Sequence, residues 1–229
     1  MTPAPHPYIF AQTGLDSGAL TLLGTLVHKM TEPGEYRGTV SGPAGASAVF
    51  YLTVTKESAV NQVNIDLAAL TAPPSSGAAD CGCPGGGSSG GGNVFTVGQH
   101  GYAVFHLSGG AGGHAVRLGR ASAEPAAKAF DSTQLKDGDI FAASLLRPGA
   151  YKVTNTLQKG APAADLTVAY PQAGKGAYTP PSPLRVECTA QGFRPSKLEL
   201  TAMQGCLFVC AAPSRIVVEL VTALDPPAS

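Results

Sequence analysis

Residues 71–93 read TAPPSSGAADCGCPGGGSSGGGN, a run of glycine, serine and proline with no apolar periodicity. Such a stretch has nothing to bury, so it behaves as a linker or a long surface loop and no regular element can run through it. A second interruption, PQAGKGAYTPPSP at residues 171–183, removes a ladder donor at each proline and favours extended chain. Three ordered blocks remain. They are broken up in turn by the density of punctuating residues, 29 glycines and 19 prolines among 229, which leaves little room for long helices. The fold class that follows is all-β.

Within the blocks, short β-branched and aromatic runs bounded by turn residues predict strands at 48–55, 60–67, 102–107, 115–118, 150–156, 164–170, 184–188, 197–201, 206–210 and 216–221. One helix is expected, at 122–130 (SAEPAAKAF), with Ser122 as N-cap and Pro125 in the first turn. One pattern repeats. Pro33-Gly34-Glu35-Tyr36 precedes a strand and then Leu52-Thr53-Val54, while Pro148-Gly149-Ala150-Tyr151 precedes a strand and then Leu166-Thr167-Val168 at nearly the same distance. A hairpin shared by two parts of the chain is one reading; independent selection of Pro-Gly turns is the other.

Fifteen basic and fifteen acidic residues give zero formal charge, so no electrostatic footprint for nucleic acid or an anionic membrane is present. No run reaches the roughly 18 apolar residues of a membrane span, and the opening MTPAPHP has neither the basic nor the apolar region of a signal peptide. The expectation is a soluble chain without a transmembrane segment. With only 13% charged residues its surface suits contact with protein neighbours, including copies of itself. The five cysteines, an odd number, define no complete disulfide framework. Cys206 and Cys210 fall on one face of an apolar strand, either as buried thiols or with one of them paired to Cys188.

Three segments in order carry a family resemblance. Phe95-Thr96-Val97-Gly98 leads into the strand at 102–107, and a Gly-rich loop then precedes His114-Ala115-Val116-Arg117-Leu118. Leu135-Lys136-Asp137-Gly138-Asp139 and Pro148-Gly149-Ala150-Tyr151-Lys152-Val153 follow. Over residues 94–170 this resembles a cupredoxin of the plastocyanin and azurin kind, in which a first copper-ligand histidine stands at the place of His114. The resemblance implies a Greek-key sandwich. It also implies further ligands, a Cys, a His and a Met, after the Pro-Gly-x-Tyr strand, where this chain has Thr154-Asn155-Thr156-Leu157-Gln158-Lys159-Gly160. One imidazole supplies a single bond of the trigonal, soft-ligand set that copper prefers.

Residues 184–229 resemble the first half of the same fold and residues 1–70 the second half. The implied architecture is two cupredoxin-like sandwiches, a complete one at 94–170 and an outer one assembled from both ends of the chain. The ends would meet within one chain, where the tether raises effective concentration, or by exchange between chains.

Cys81-Gly82-Cys83 offers two exposed thiolates for a soft metal or for a disulfide to a neighbour. His114, Cys81 and Cys83 are therefore the copper candidates. His100, His106 and His114 lie close in sequence and would form a site only if the fold converged them. The loop Gly109-Gly110-Ala111-Gly112-Gly113 lacks the Lys-Ser/Thr and the helix of a phosphate cradle, and no nucleophile elbow is present. The sequence therefore points to a non-catalytic, cofactor-free structural or accessory subunit of a larger assembly. A copper-binding or electron-transfer protein with a non-standard site is the alternative. The family resemblance leans toward an extracytoplasmic location.

Overall fold

The computed structural model describes residues 13–72, 93–122, 128–171 and 178–224. Seventeen strands occur among them: β1 Gly14–Asp16, β2 Gly24–Lys29, β3 Gly34–Ser41, β4 Ser47–Thr55, β5 Gln62–Asp66, β6 Val94–Gly98, β7 Tyr102–His106, β8 Ala115–Arg120, β9 Lys128–Asp131, β10 Ile140–Ser144, β11 Gly149–Asn155, β12 Ala164–Ala169, β13 Leu184–Thr189, β14 Gly192–Arg194, β15 Lys197–Thr201, β16 Gly205–Cys210 and β17 Ile216–Ala223. One short α-helix, α1 (Leu67–Thr71), is capped by the Asp66 carboxylate, which accepts from the Ala68 N–H at 3.0 Å. The chain is all-β with three mixed sheets. The helix expected at 122–130 does not occupy its C-terminal part: Lys128 to Phe130 belong to β9, which pairs with β8. Its remainder, 123–127, lies outside the described residues.

The sheets run β1-β17-β11-β12-β15, then β14-β13-β16-β10-β2-β7-β5, then β6-β4-β3-β8-β9. Each five-stranded sheet buries alternate residues, as a sheet does when one face lies on a core. β12 buries Ala164, Leu166 and Val168, and β3 buries Tyr36, Gly38 and Val40. The buried side chains of all three sheets form one connected cluster. Across it Phe105 of β7 stacks on Phe130 of β9 at 5.2 Å and lies 6.2 Å from Phe50 of β4.

Strand pairing divides the chain differently from the expected domains. Residues 94–170 are shared out: β6 and β8 pair with β4 and β3, whereas β11 and β12 pair with β17 and β15. The two ends do meet, through the three-residue β1 alongside β17.

The physical reason is a duplication with reciprocal exchange of first strands. Asp16, Ser17, Leu20, Leu26, Pro33 and Tyr36 correspond at constant spacing to Asp131, Ser132, Leu135, Phe141, Pro148 and Tyr151. The hydrogen bonds correspond as well. Tyr36 Oη donates to the Glu32 carbonyl at 2.8 Å and Tyr151 Oη to the Arg147 carbonyl at 2.6 Å, each four residues back. The repeated hairpin is thus one structural device used twice.

The exchange is fixed by the Asp-Ser pairs. Ser17 Oγ accepts from the Ile216 N–H at 3.1 Å, and Ser132 Oγ from the Val116 N–H at 3.0 Å, so each serine bonds the last strand of the other repeat. Arg215 grips Asp16 at 2.7 Å, and Arg117 bonds Asp131 at 3.2 Å. β2 and β10 lie side by side at the centre of the seven-stranded sheet, with the equivalent residues Leu26 and Phe141 directly opposite each other. That pairing is the self-complementary arrangement of a two-fold dimer, here within one chain.

The outer face of this sheet carries a row of half-buried β-branched residues, Val104, Val27, Ile140 and Val209, in register across four adjacent strands. Exposed Asn64 and Glu187 continue the row on either side.

Candidate functional site

His114, the residue at the family's ligand position, is 4% exposed and stands behind α1. Asp66 caps that helix and also accepts from the Ser108 hydroxyl and amide, which seats Thr71 at the far end so that its hydroxyl lies 2.9 Å from His114 Nε2. His114 Nδ1 is buried without a hydrogen-bond partner. Burial lowers its pKa, against the upward pull of the Asp66 charge, so the imidazole is neutral at pH 7. A shallow cavity of about 270 Å³ beside it is lined by Pro43, Ala46, Ala68 and Ala111. Nε2 is thus engaged by Thr71, and Nδ1 is enclosed by protein.

Cys81 and Cys83 lie outside the described residues. His100 and His106 are at opposite ends of β7 and do not converge, His100 in a turn with φ of 67° and His106 at the last strand position. Among the described residues no three His, Cys, Asp or Glu side chains gather as a metal-binding group.

Cys188, Cys206 and Cys210 are free, buried thiols. Parallel register places Cys188 beside Cys210, which narrows the pairing left open by the sequence to these two. The hydrogen bond with Cys210, and then burial, push the Cys188 thiol far up, and burial raises Cys206 to about 12. Cys188 and Cys206 are protonated, and all three buried side chains act as small apolar groups.

The arrangement with most chemical content is one the sequence did not single out. His28, on the same face of β2 as buried Leu26, packs on Phe130 of β9, ring centroids 4.9 Å apart. Its Nδ1 lies 2.6 Å from Oδ1 of Asp139, in the turn before β10. Asp139 is 2% exposed, and its other oxygen accepts from the Lys136 N–H at 2.7 Å. A carboxylate only accepts, so Nδ1–H donates to Asp139, and Nε2 is the ring nitrogen not engaged by that bond.

His28 lines a cleft of about 320 Å³ together with Thr31, Glu32, Tyr36, Arg120 and Lys128. Arg120 bonds Glu32 and lies 5.7 Å from the centroid of the Tyr36 ring. Lys128 lies 3.5 Å from Asp131. Burial raises the Tyr36 hydroxyl, outweighing the nearby Arg120, so the phenol is neutral. No local spacing announces this site, because its two central residues come from different repeats, 111 residues apart.

Comparison with protein-family models, with curated proteins and with solved structures finds no match to this chain. The class that fold and site define is therefore structural: an all-β protein of three mixed sheets, duplicated within one chain and joined by strand exchange.

Proposed function

We propose that this protein is a non-catalytic structural or accessory subunit, built on two copper-free, cupredoxin-like sandwiches, that works by docking to protein partners, copies of itself among them. The observation that carries the reading is the outer face of the seven-stranded sheet. Val104, Val27, Ile140 and Val209 form an uncharged strip across β7, β2, β10 and β16. A second row beside it, Thr25, Ala142 and Leu207, is also uncharged and ends at Arg185. Contiguous apolar surface with a polar rim is the usual mark of a protein interface.

A second copy is the first partner to test, since the pseudo-two-fold relating β2 and β10 passes through this face. A two-fold dimer uses the same patch twice, and a flat sheet face satisfies that requirement. The burial of His114 and its bond to Thr71 favour this reading over a copper carrier.

Sedimentation velocity of the wild-type protein and of Ile140→Lys tests it. A concentration-dependent dimer or larger species that Ile140→Lys reduces to monomer supports the proposal. A wild-type protein that stays monomeric throughout the micromolar range, with a frictional ratio identical to the variant's, counts against it.

A further inference from the structure

We propose that the cleft at the seam of the two repeats is a binding site for a small molecule bearing an oxyanion, a carboxylate or a phosphate, with His28 Nε2 as the orienting group. The site combines three kinds of group. His28 Nε2 is available to the cleft because Asp139 occupies Nδ1. Arg120 bonds Glu32 through one amino group and lays its guanidinium over the Tyr36 ring, which leaves it further N–H donors, and Lys128, 3.5 Å from Asp131, lines the same cleft with its ammonium. The Thr31 hydroxyl lines the same space. A cleft of about 320 Å³ is at the lower end of small-molecule sites, which suits an acid of modest size.

The second repeat supplies an internal control. The same backbone frame recurs there, with Tyr151 bonded to the Arg147 carbonyl as Tyr36 is to Glu32. At the positions equivalent to His28, Thr31, Arg120 and Asp139 it carries Ala143, Leu146, Leu220 and Gly24. Strand register confirms the match at one of them: Arg120 opposes Tyr36, and Leu220 opposes Tyr151. Apart from Arg147 at the position of Glu32, these cleft positions are apolar or small in the second repeat. A charged constellation with a buried Asp-His pair in the other is not something the fold requires. Burying the Asp139 carboxylate costs free energy, and its pairing with His28 at one of two equivalent seams points to recognition.

The recognition follows from the donors. An oxyanion accepts from Arg120 and Lys128, the pairing in which guanidinium geometry is strongest. The Asp139-held imidazole then either accepts from a protonated oxygen of the ligand or, once itself protonated, donates to an ionised one.

Heteronuclear NMR of the whole protein tests this, following the His28 imidazole and Arg120 Nε–H resonances against inorganic phosphate and, separately, against succinate. A saturable shift confined to these resonances is expected with at least one probe. Arg120→Gln should weaken it by about tenfold or more, as expected for losing a charge-assisted hydrogen bond. Arg147→Gln, in the counterpart frame, should leave it unchanged. The probe that saturates at the lower concentration identifies the headgroup. The proposal is overturned by shifts that never saturate, by equal shifts at every histidine, or by an undiminished response in a folded Arg120→Gln protein.

Discussion

The two repeats solve the same packing problem with opposite residues. In the first, Gly38 stands opposite Phe50, whose ring lies over the glycine so closely that an added Cβ would meet its Cζ at 2.1 Å. In the second, the equivalent pair is Val153 opposite Ala164. One repeat uses nothing and an aromatic ring, and the other uses two intermediate side chains. Interiors are packed near crystal density, so what the frame constrains is the summed volume of the pair, not which strand provides it. At the seam the same contrast holds for polarity, with His28 and Asp139 in one copy and Ala143 and Gly24 in the other.

The largest effect should come from forcing one solution onto the other. Gly38→Val places a branched side chain inside the Phe50 ring and should destabilise the protein by about 3 kcal/mol, the upper end of ordinary overpacking. The double variant Gly38→Val/Phe50→Ala recreates the pair of the second repeat and should recover at least half of that loss in urea denaturation. If the double variant is no more stable than the single, the two pairs are not equivalent.

Next come the crossover serines. Ser17→Ala and Ser132→Ala each leave a backbone N–H without its acceptor, that of Ile216 or Val116, and each should cost about 1–3 kcal/mol. The exchange is reciprocal, so the two losses should be similar. A large loss at one and none at the other would mean that a single crossover holds the molecule together.

Smaller again, Tyr36→Phe and Tyr151→Phe should each cost about 1 kcal/mol, the net worth of one hydrogen bond. Because the two sites share no partner, the losses should add, and thermal melts of the double variant decide the point.

The smallest effect is acid sensitivity at the second crossover. Burial acts to raise the Asp131 pKa, but the Thr133 hydroxyl and amide, with Arg117 and Lys128, hold it below the usual carboxylate range. A depressed folded pKa contributes stability that is present above the unfolded value of about 3.9 and is lost as pH falls through the folded value. Asp131→Asn should therefore lower stability at neutral pH and flatten its decline below about pH 4. An unchanged acid limb would remove Asp131 from the crossover's electrostatics.

Much of this frame was legible in the sequence, and the part that was not has a definite cause. The β-branched runs of β4, β16 and β17 announce themselves because their side chains suit a pleated surface in any context. β2 and β10 were not predicted, though they form the centre of the largest sheet. Ile140–Ser144 reads IFAAS, whose alanines carry little strand preference, and it becomes a strand because β2 and β16 flank it. The Asp-Ser pairs read as turn residues, which they are; that each crosses to the other repeat depends on partners far away in the chain. The repeated Pro-Gly-x-Tyr was the one visible trace of duplication, and its extension to Asp16-Ser17 and Asp131-Ser132 lay in polar residues that a search for apolar runs passes over. The His28 site was invisible for the same reason, since neither residue has a chemical neighbour in sequence.

Strand exchange also sets a timetable for the growing chain. Strands β2 to β9 have all been made once residue 131 has left the ribosome, whereas the contact between Asp16 and Arg215 spans 199 residues. At roughly 5–20 residues per second, β1 waits on the order of 10–40 s for β17 to be made. For the last part of that interval, the roughly 60 residues between β11 and β17 or about 3–12 s at the same rate, one edge of β11 has no partner, because β17 alone covers it. Synthesis thus builds the two repeats in sequence, and β1, the earliest of the described strands, is among the last to find its place.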